Sequence, residues 1–122
     1  MSGDEKTTLA ELKRLALEFR DRRDWEQFHD PKNLSMGLSI EAAELQELFL
    51  WRTDREVEAL LRDDRGREKV RDELADVLVF LLYLSHACGI DLSEALRDKI
   101  ALNEKKYPVE KSRGSHKKYD EI

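Results

Sequence analysis

A chain of 122 residues, 40% charged and 40% hydrophobic, has room for one domain with one core and excludes two. A formal net charge of -5 gives no support to a general binder of nucleic-acid polymers, but it leaves room for a nucleotide whose phosphate charge a metal offsets. No apolar run reaches the length of a membrane span, the charged N-terminus lacks a signal-peptide pattern, and Cys88 stands alone. The expectation is therefore a protein without membrane contact in a reducing cytoplasm, with Cys88 as a small helix-end residue rather than a nucleophile.

Abundant Leu, Glu, Ala, Arg and Lys with few Gly and Pro point to an all-α fold, and five helices are legible in chain order. Residues 1–6 are polar and expected to be loose. Thr8 and Glu11 form a capping box, and Leu9, Leu12, Leu15 or Ala16, and Phe19 trace an apolar stripe to about Arg22 or Arg23. After the mixed segment RDWEQFHDPKN, Asp30 and Pro31 read as N-cap and first residue of a second helix that ends near Arg52. Thr53 and Glu56 cap a short third helix, which the DDRGR cluster breaks with Gly66 as the turn residue. A fourth helix is expected from about Glu68 to Cys88, buried along Val70, Leu74, Val77, Leu78 and Leu81 and stopped by Gly89. Asp91 and Glu94 open the last helix, which ends before Pro108. Residues 1–108 make the domain, and 109–122 form a charged tail without periodicity, expected to be mobile. Phe49, Val79, Phe80, Leu82 and Leu84 carry apolar surface most of the way round their helices. A bundle of four to five helices leaves such surface over, so a homodimer or homotetramer joined through helix faces is expected.

The second and fourth helices each carry a paired acid. In LSIEAAELQELFLW, Glu41 and Glu44 lie three residues apart, which puts both carboxylates on one helix face, with Leu48 and Trp51 continuing the stripe. In DELADVLVFLLYL, Glu73 and Asp76 repeat the spacing, with Phe80 and Tyr83 further along. A single pair reads more readily as a solvated helix edge. Two matched pairs in the two most apolar helices favour a shared site. If the helices pack together, four carboxylates converge on a hard, oxygen-only site for Mg²⁺ or Mn²⁺, and the lack of His on these faces argues against zinc.

The remaining polar groups fit a metal–phosphate ligand without requiring one. Lys99, Asn103 and Lys106, followed by Tyr107, give a cationic and amide-bearing face, which equally suits a solvated helix end. Trp25 and Trp51 suit either core anchoring or stacking on a nucleobase. His29 fits a phosphate or base contact as well as a surface role. Glu47 is offset from the acidic stripe and reads as a surface residue rather than a base. No Walker-type loop and no Ser–His–Asp pattern occur.

These residues resemble the MazG-like superfamily of all-α nucleoside triphosphate pyrophosphatases, and within it the dCTP pyrophosphatase group. The Glu-x-x-Glu and Glu-x-x-Asp motifs match Glu41, Glu44, Glu73 and Asp76. The flanks RDWEQFHDPKNL, ELQELFLW, ELADVLVFLL, CGIDL and LNEKKYP extend the resemblance over about residues 8–108. The resemblance implies Mg²⁺-dependent hydrolysis of a (deoxy)nucleoside triphosphate, dCTP or a modified dCTP, to the monophosphate and pyrophosphate. It implies metal binding by the four acids, a base pocket bordered by Trp25 and Trp51, and phosphate or sugar contacts from Lys99, Asn103 and Tyr107. His29 lies in the matching loop. Phe80 stands where the dCTP-directed members are expected to have Tyr, which leaves base and sugar preference open. The competing readings are a non-catalytic helical binding module and a related enzyme acting on dUTP or a damaged nucleotide. A di-iron bundle lacks the required Glu-x-x-His pairs.

Overall fold

The computed structural model describes residues 3–122, which form seven α-helices and no strand among them. In order they are α1 (Gly3–Lys6), α2 (Leu9–Asp21), α3 (Pro31–Glu47), α4 (Asp54–Arg62), α5 (Asp64–Cys88), α6 (Leu92–Lys106) and α7 (Val109–Ser112). Single 3-10 turns lie at Glu26–Phe28 and Tyr119–Glu121. The all-α expectation holds, and the five long helices are the five read from the sequence. The count of four to five falls short because α1 and α7 are single turns, too short for apolar periodicity to reveal. The chain separates into one compact unit up to Gly89 and a second over Ile90–Ile122. The second unit holds α6, α7 and the last 3-10 turn, in which Tyr119 packs edge-on to Tyr107 with ring centroids 6.2 Å apart.

Side-chain caps start each long helix. Thr8, Asp30, Thr53, Asp63 and Asp91 accept a hydrogen bond from the backbone N–H three residues on, at 2.8–3.2 Å. The Asp63 cap corrects the fourth predicted helix, which starts at Asp64 and not near Glu68. Gly66 is accordingly no turn residue: it sits buried in the first turn of α5 against the Leu60 carbonyl, where a side chain would overlap backbone. At the other end Gly89, with φ of 66°, closes α5 in the left-handed conformation.

In the first unit α5 is the shared element, packed against α2, α3 and α4. Leu34 of α3 is 2% exposed and meets Ala16 of α2 and Tyr83 of α5, with Leu17, Val79, Phe80 and Leu84 around them. Burying Leu34 contributes about 2 kcal/mol. The buried residues of α5 are Gly66, Val70, Leu82, Tyr83 and Ser85, whereas Leu74, Leu78 and Leu81 are exposed. The expected burial of those three leucines is thus wrong. They share the uncovered face, and a helix apolar nearly all round does not reveal from its own sequence which stripe a neighbour covers.

The Tyr83 hydroxyl ties α5 to α2 by donating to the Ala16 carbonyl at 3.0 Å in a buried position. Tyr83→Phe removes that bond and keeps the ring, so it is expected to cost about 1 kcal/mol of stability in urea denaturation.

Candidate functional site

The two acidic helices meet as expected. Gly37 of α3 lies against Phe80 of α5, and one turn further along α3 Glu41 meets Glu73 and Asp76, so the helices run antiparallel at this point. One carboxylate oxygen from each of Glu41, Glu73 and Asp76 falls within 4.8 Å of the others. Glu44, on the next turn of α3, adjoins them closely enough to hydrogen-bond the protonated forms of Glu41 and Glu73. Both Oε2 of Glu41 and Oε2 of Glu73 are buried without a hydrogen-bond partner. Burial, followed by a hydrogen bond that the protonated Glu41 donates to Glu44 and by the charges of Glu44, Asp76 and Glu73, pushes Glu41 up to about 7. Burial, followed by the charges of Glu44 and Asp76, a hydrogen bond to Glu44 and the charge of Asp72, also raises Glu73.

This donor set fits a hard divalent cation. All its ligand atoms are carboxylate oxygens, two of them unpartnered, and a positive ion between them would satisfy both and remove the mutual repulsion.

The other predicted residues take varied positions. Phe80, half-buried one turn beyond Asp76, packs in the seam between α3 and α5 with its ring edge-on to Tyr83. Trp25 follows Asp24, whose φ of 54° bends the chain out of α2, and it packs edge-on to Phe19 at 5.8 Å. His29 lies 4.7 Å from the Tyr83 ring with Nδ1 buried and unpartnered, and burial with the Arg20 charge lowers its pKa, which keeps it neutral at pH 7. Trp51 does not continue the carboxylate stripe. The helix ends at Glu47, the turn bonds of Phe49 and Leu50 to the Gln46 carbonyl intervene, and Trp51 is left at φ 64° and 92% exposed. In the second unit Lys99 and Asn103 stand one turn apart on α6, and Tyr107 caps its C-terminus. Glu47 is exposed, in keeping with a surface role.

Sequence reasoning missed Arg20. It is 7% exposed, pairs with Asp21 at 2.7 Å and Glu26 at 3.7 Å, and its carbonyl accepts from the Trp25 N–H, so it fixes the loop that carries Trp25 and His29. Its place one turn after Ala16 on the inward stripe of α2 was the available signal. An apolar groove of about 410 Å³ also runs between α2 and α5, lined by Leu15, Phe19, Leu78 and Leu82 with Asp76 on its wall.

The family model of the MazG-like family matches residues 37–122, a span that includes all four acids. The chain belongs to the MazG-like family. Within it, the chain is similar to dCTP pyrophosphatase 1 of Homo sapiens and of Bos taurus, each 43% identical over 115 residues that cover 94% of this chain and 68% of the relative. In three dimensions it is similar to a pyrophosphatase from Archaeoglobus fulgidus, with a TM-score of 0.75 and 44% identity over 82% of this chain and 92% of the other. The resemblance read from the motifs therefore holds for the family and for its dCTP pyrophosphatase group. As for the expected lack of membrane contact, no single helix among the described residues is long and apolar enough to cross a membrane.

The raised pKa of Glu41 sets a pH dependence. The fold favours the protonated carboxyl, so this contribution to stability is complete below about 4.5 and is lost as pH rises through about 7. With EDTA present, Glu41→Gln, which mimics the neutral form, is expected to melt above the wild type at pH 7.5 and level with it near pH 4.5. Thermal melts across that range check this.

Proposed function

We propose that this chain hydrolyses dCTP or a base-modified dCTP to the monophosphate and pyrophosphate with Mg²⁺, and so clears surplus or non-canonical nucleotides from the pool. The relatives named above are pyrophosphatases, two of them of dCTP, and the chain is accordingly a nucleoside triphosphate diphosphatase. The observation that carries the metal-dependent reading is the convergence of Glu41, Glu73 and Asp76 around two buried, unpartnered carboxylate oxygens.

In this reading Glu41, Glu44, Glu73 and Asp76 hold the metal. Bound there, Mg²⁺ supplies Lewis-acid neutralisation of the triphosphate, with Mn²⁺ a workable substitute. The carboxylates orient a water toward the α-phosphorus. Lys99, Asn103 and Tyr107 contact phosphate or sugar, and the Lys99 ammonium offsets charge on the departing pyrophosphate. Trp25 and Trp51 present indole faces to the base, which their exposure permits. His29, neutral at pH 7, offers a hydrogen bond without adding charge. Phe80 provides an apolar wall beside Asp76.

A homodimer or homotetramer is part of the same reading. Leu15, Phe19, Leu74 and Leu78 are exposed on α2 and α5, and a second copy packed there would remove from water a patch that a lone protomer leaves wet.

Incubation with a panel of nucleoside triphosphates, with and without Mg²⁺, is expected to yield monophosphate and pyrophosphate only with the metal and fastest from dCTP or a modified dCTP. Glu73→Gln is expected to lower the rate by about 100-fold or more. Orthophosphate as product would overturn the assigned reaction, and absence of turnover would overturn the enzyme.

A further inference from the structure

We propose that Gly37 and Phe80 act together as a spacer that sets the separation of the α3 and α5 carboxylates, and with it the affinity of the site for a divalent cation. The inference rests on the reading of the acidic cluster as a cation site. Both are positioning residues: Gly37 stands one helical turn before Glu41, and Phe80 one turn after Asp76 and two after Glu73. Because the two helices run antiparallel here, the contact between Gly37 and Phe80 lies directly beside the contact between the acids.

The approach at this point is close. A methyl group at position 37 would overlap the Phe80 ring at Cε1 and would lie 2.8 Å from Cδ1 and 3.1 Å from Cζ. The ring is half-buried. On its other flank it meets Tyr83 edge-on, with centroids 6.2 Å apart, and Tyr83 is itself 5% exposed and fixed by its hydrogen bond to Ala16. A larger residue at 37 therefore parts the helices or displaces the ring within the seam. Either movement alters the placement of Glu41 against Glu73 and Asp76. Small divalent cations hold carboxylate oxygens at about 2.0–2.1 Å, so displacements of tenths of an ångström are felt as lost affinity.

The test uses Mn²⁺ alone, without nucleotide, its binding read from the electron paramagnetic resonance of the free ion, alongside thermal melts in EDTA. Gly37→Ala is expected to weaken Mn²⁺ binding by about tenfold or more. Adding Phe80→Leu, which shortens the spacer, is expected to bring the affinity back to within about threefold of wild type. Phe80→Leu alone is expected to shift the affinity by more than about threefold. A lower melting temperature with unchanged Mn²⁺ affinity in Gly37→Ala would make the contact purely structural and overturn the proposal. An equal loss with and without Phe80→Leu would do the same. If Gly37→Ala does not fold, the double variant and Phe80→Leu decide: recovered affinity in the first, or a shift in the second, supports the spacer, and neither overturns it. Failure of the wild type to bind Mn²⁺ would instead overturn the cation site itself, a separate result that takes the spacer with it.

Discussion

Repulsion among the carboxylates carried by α3 and α5 is the constraint on which the rest of the site depends. Glu41, Glu73 and Asp76 approach one another in a partly desolvated seam, with Glu44 alongside, and at neutral pH that arrangement opposes folding. It persists because the same two helices bury Leu34 and Tyr83 immediately beyond it, and the hydrophobic contacts there fix the backbones that hold the acids. A local cost is thus maintained by packing nearby, as is common where a site must be ready before its ligand arrives. A cation between the carboxylates would convert the cost into binding free energy, and metal affinity and pH would then be two views of one interaction.

The packing around that seam has a clear division of roles. α5 is the common partner of α2, α3 and α4, so the acids of one helix are held against a surface that three others shape. Tyr83 links the layers: its hydroxyl reaches α2, its ring supports His29, and its edge flanks Phe80. Arg20, buried beside it on α2, orders the loop of Trp25 and His29 through its ion pairs and carbonyl. Trp25 and His29, proposed for the base side of the substrate, therefore stand on the same core as Glu41, Glu73 and Asp76.

Much of this was legible in the residues themselves. The i,i+3 spacing put each acid pair on one helix face, while the packing of α3 against α5 that brings Glu41, Glu73 and Asp76 together had to be supposed. Four of the five long-helix starts followed from Thr or Asp three residues before a free N–H, and the fifth, Asp63, was hidden by Gly66 three residues on. Gly66 reads as a turn in sequence because its reason lies in another helix, the Leu60 carbonyl pressed against it. The same limit explains Leu74, Leu78 and Leu81. Their periodicity is that of a buried stripe, and only the placement of α2, α3 and α4 shows that Leu82, Tyr83 and Ser85 face inward instead. Trp51 was misplaced because apolar residues run on past Glu47 without a breaker, while the chain turns through 3-10-type bonds. Arg20 was passed over because a charged side chain on an inward stripe reads as exposed, and its burial beside Tyr83 shows only once α2 is packed against α5.

The most direct test of the account is calorimetric titration of the nucleotide-free protein with Mg²⁺ at pH 6.5, in buffers of different protonation enthalpy. If the crowded acids are a cation site, binding releases the proton held by Glu41, so the apparent enthalpy changes with the buffer, and Glu41→Gln diminishes that dependence. Mg²⁺ binding with no proton release, or no binding at all, would contradict the claim that mutual repulsion of these carboxylates is what the metal relieves.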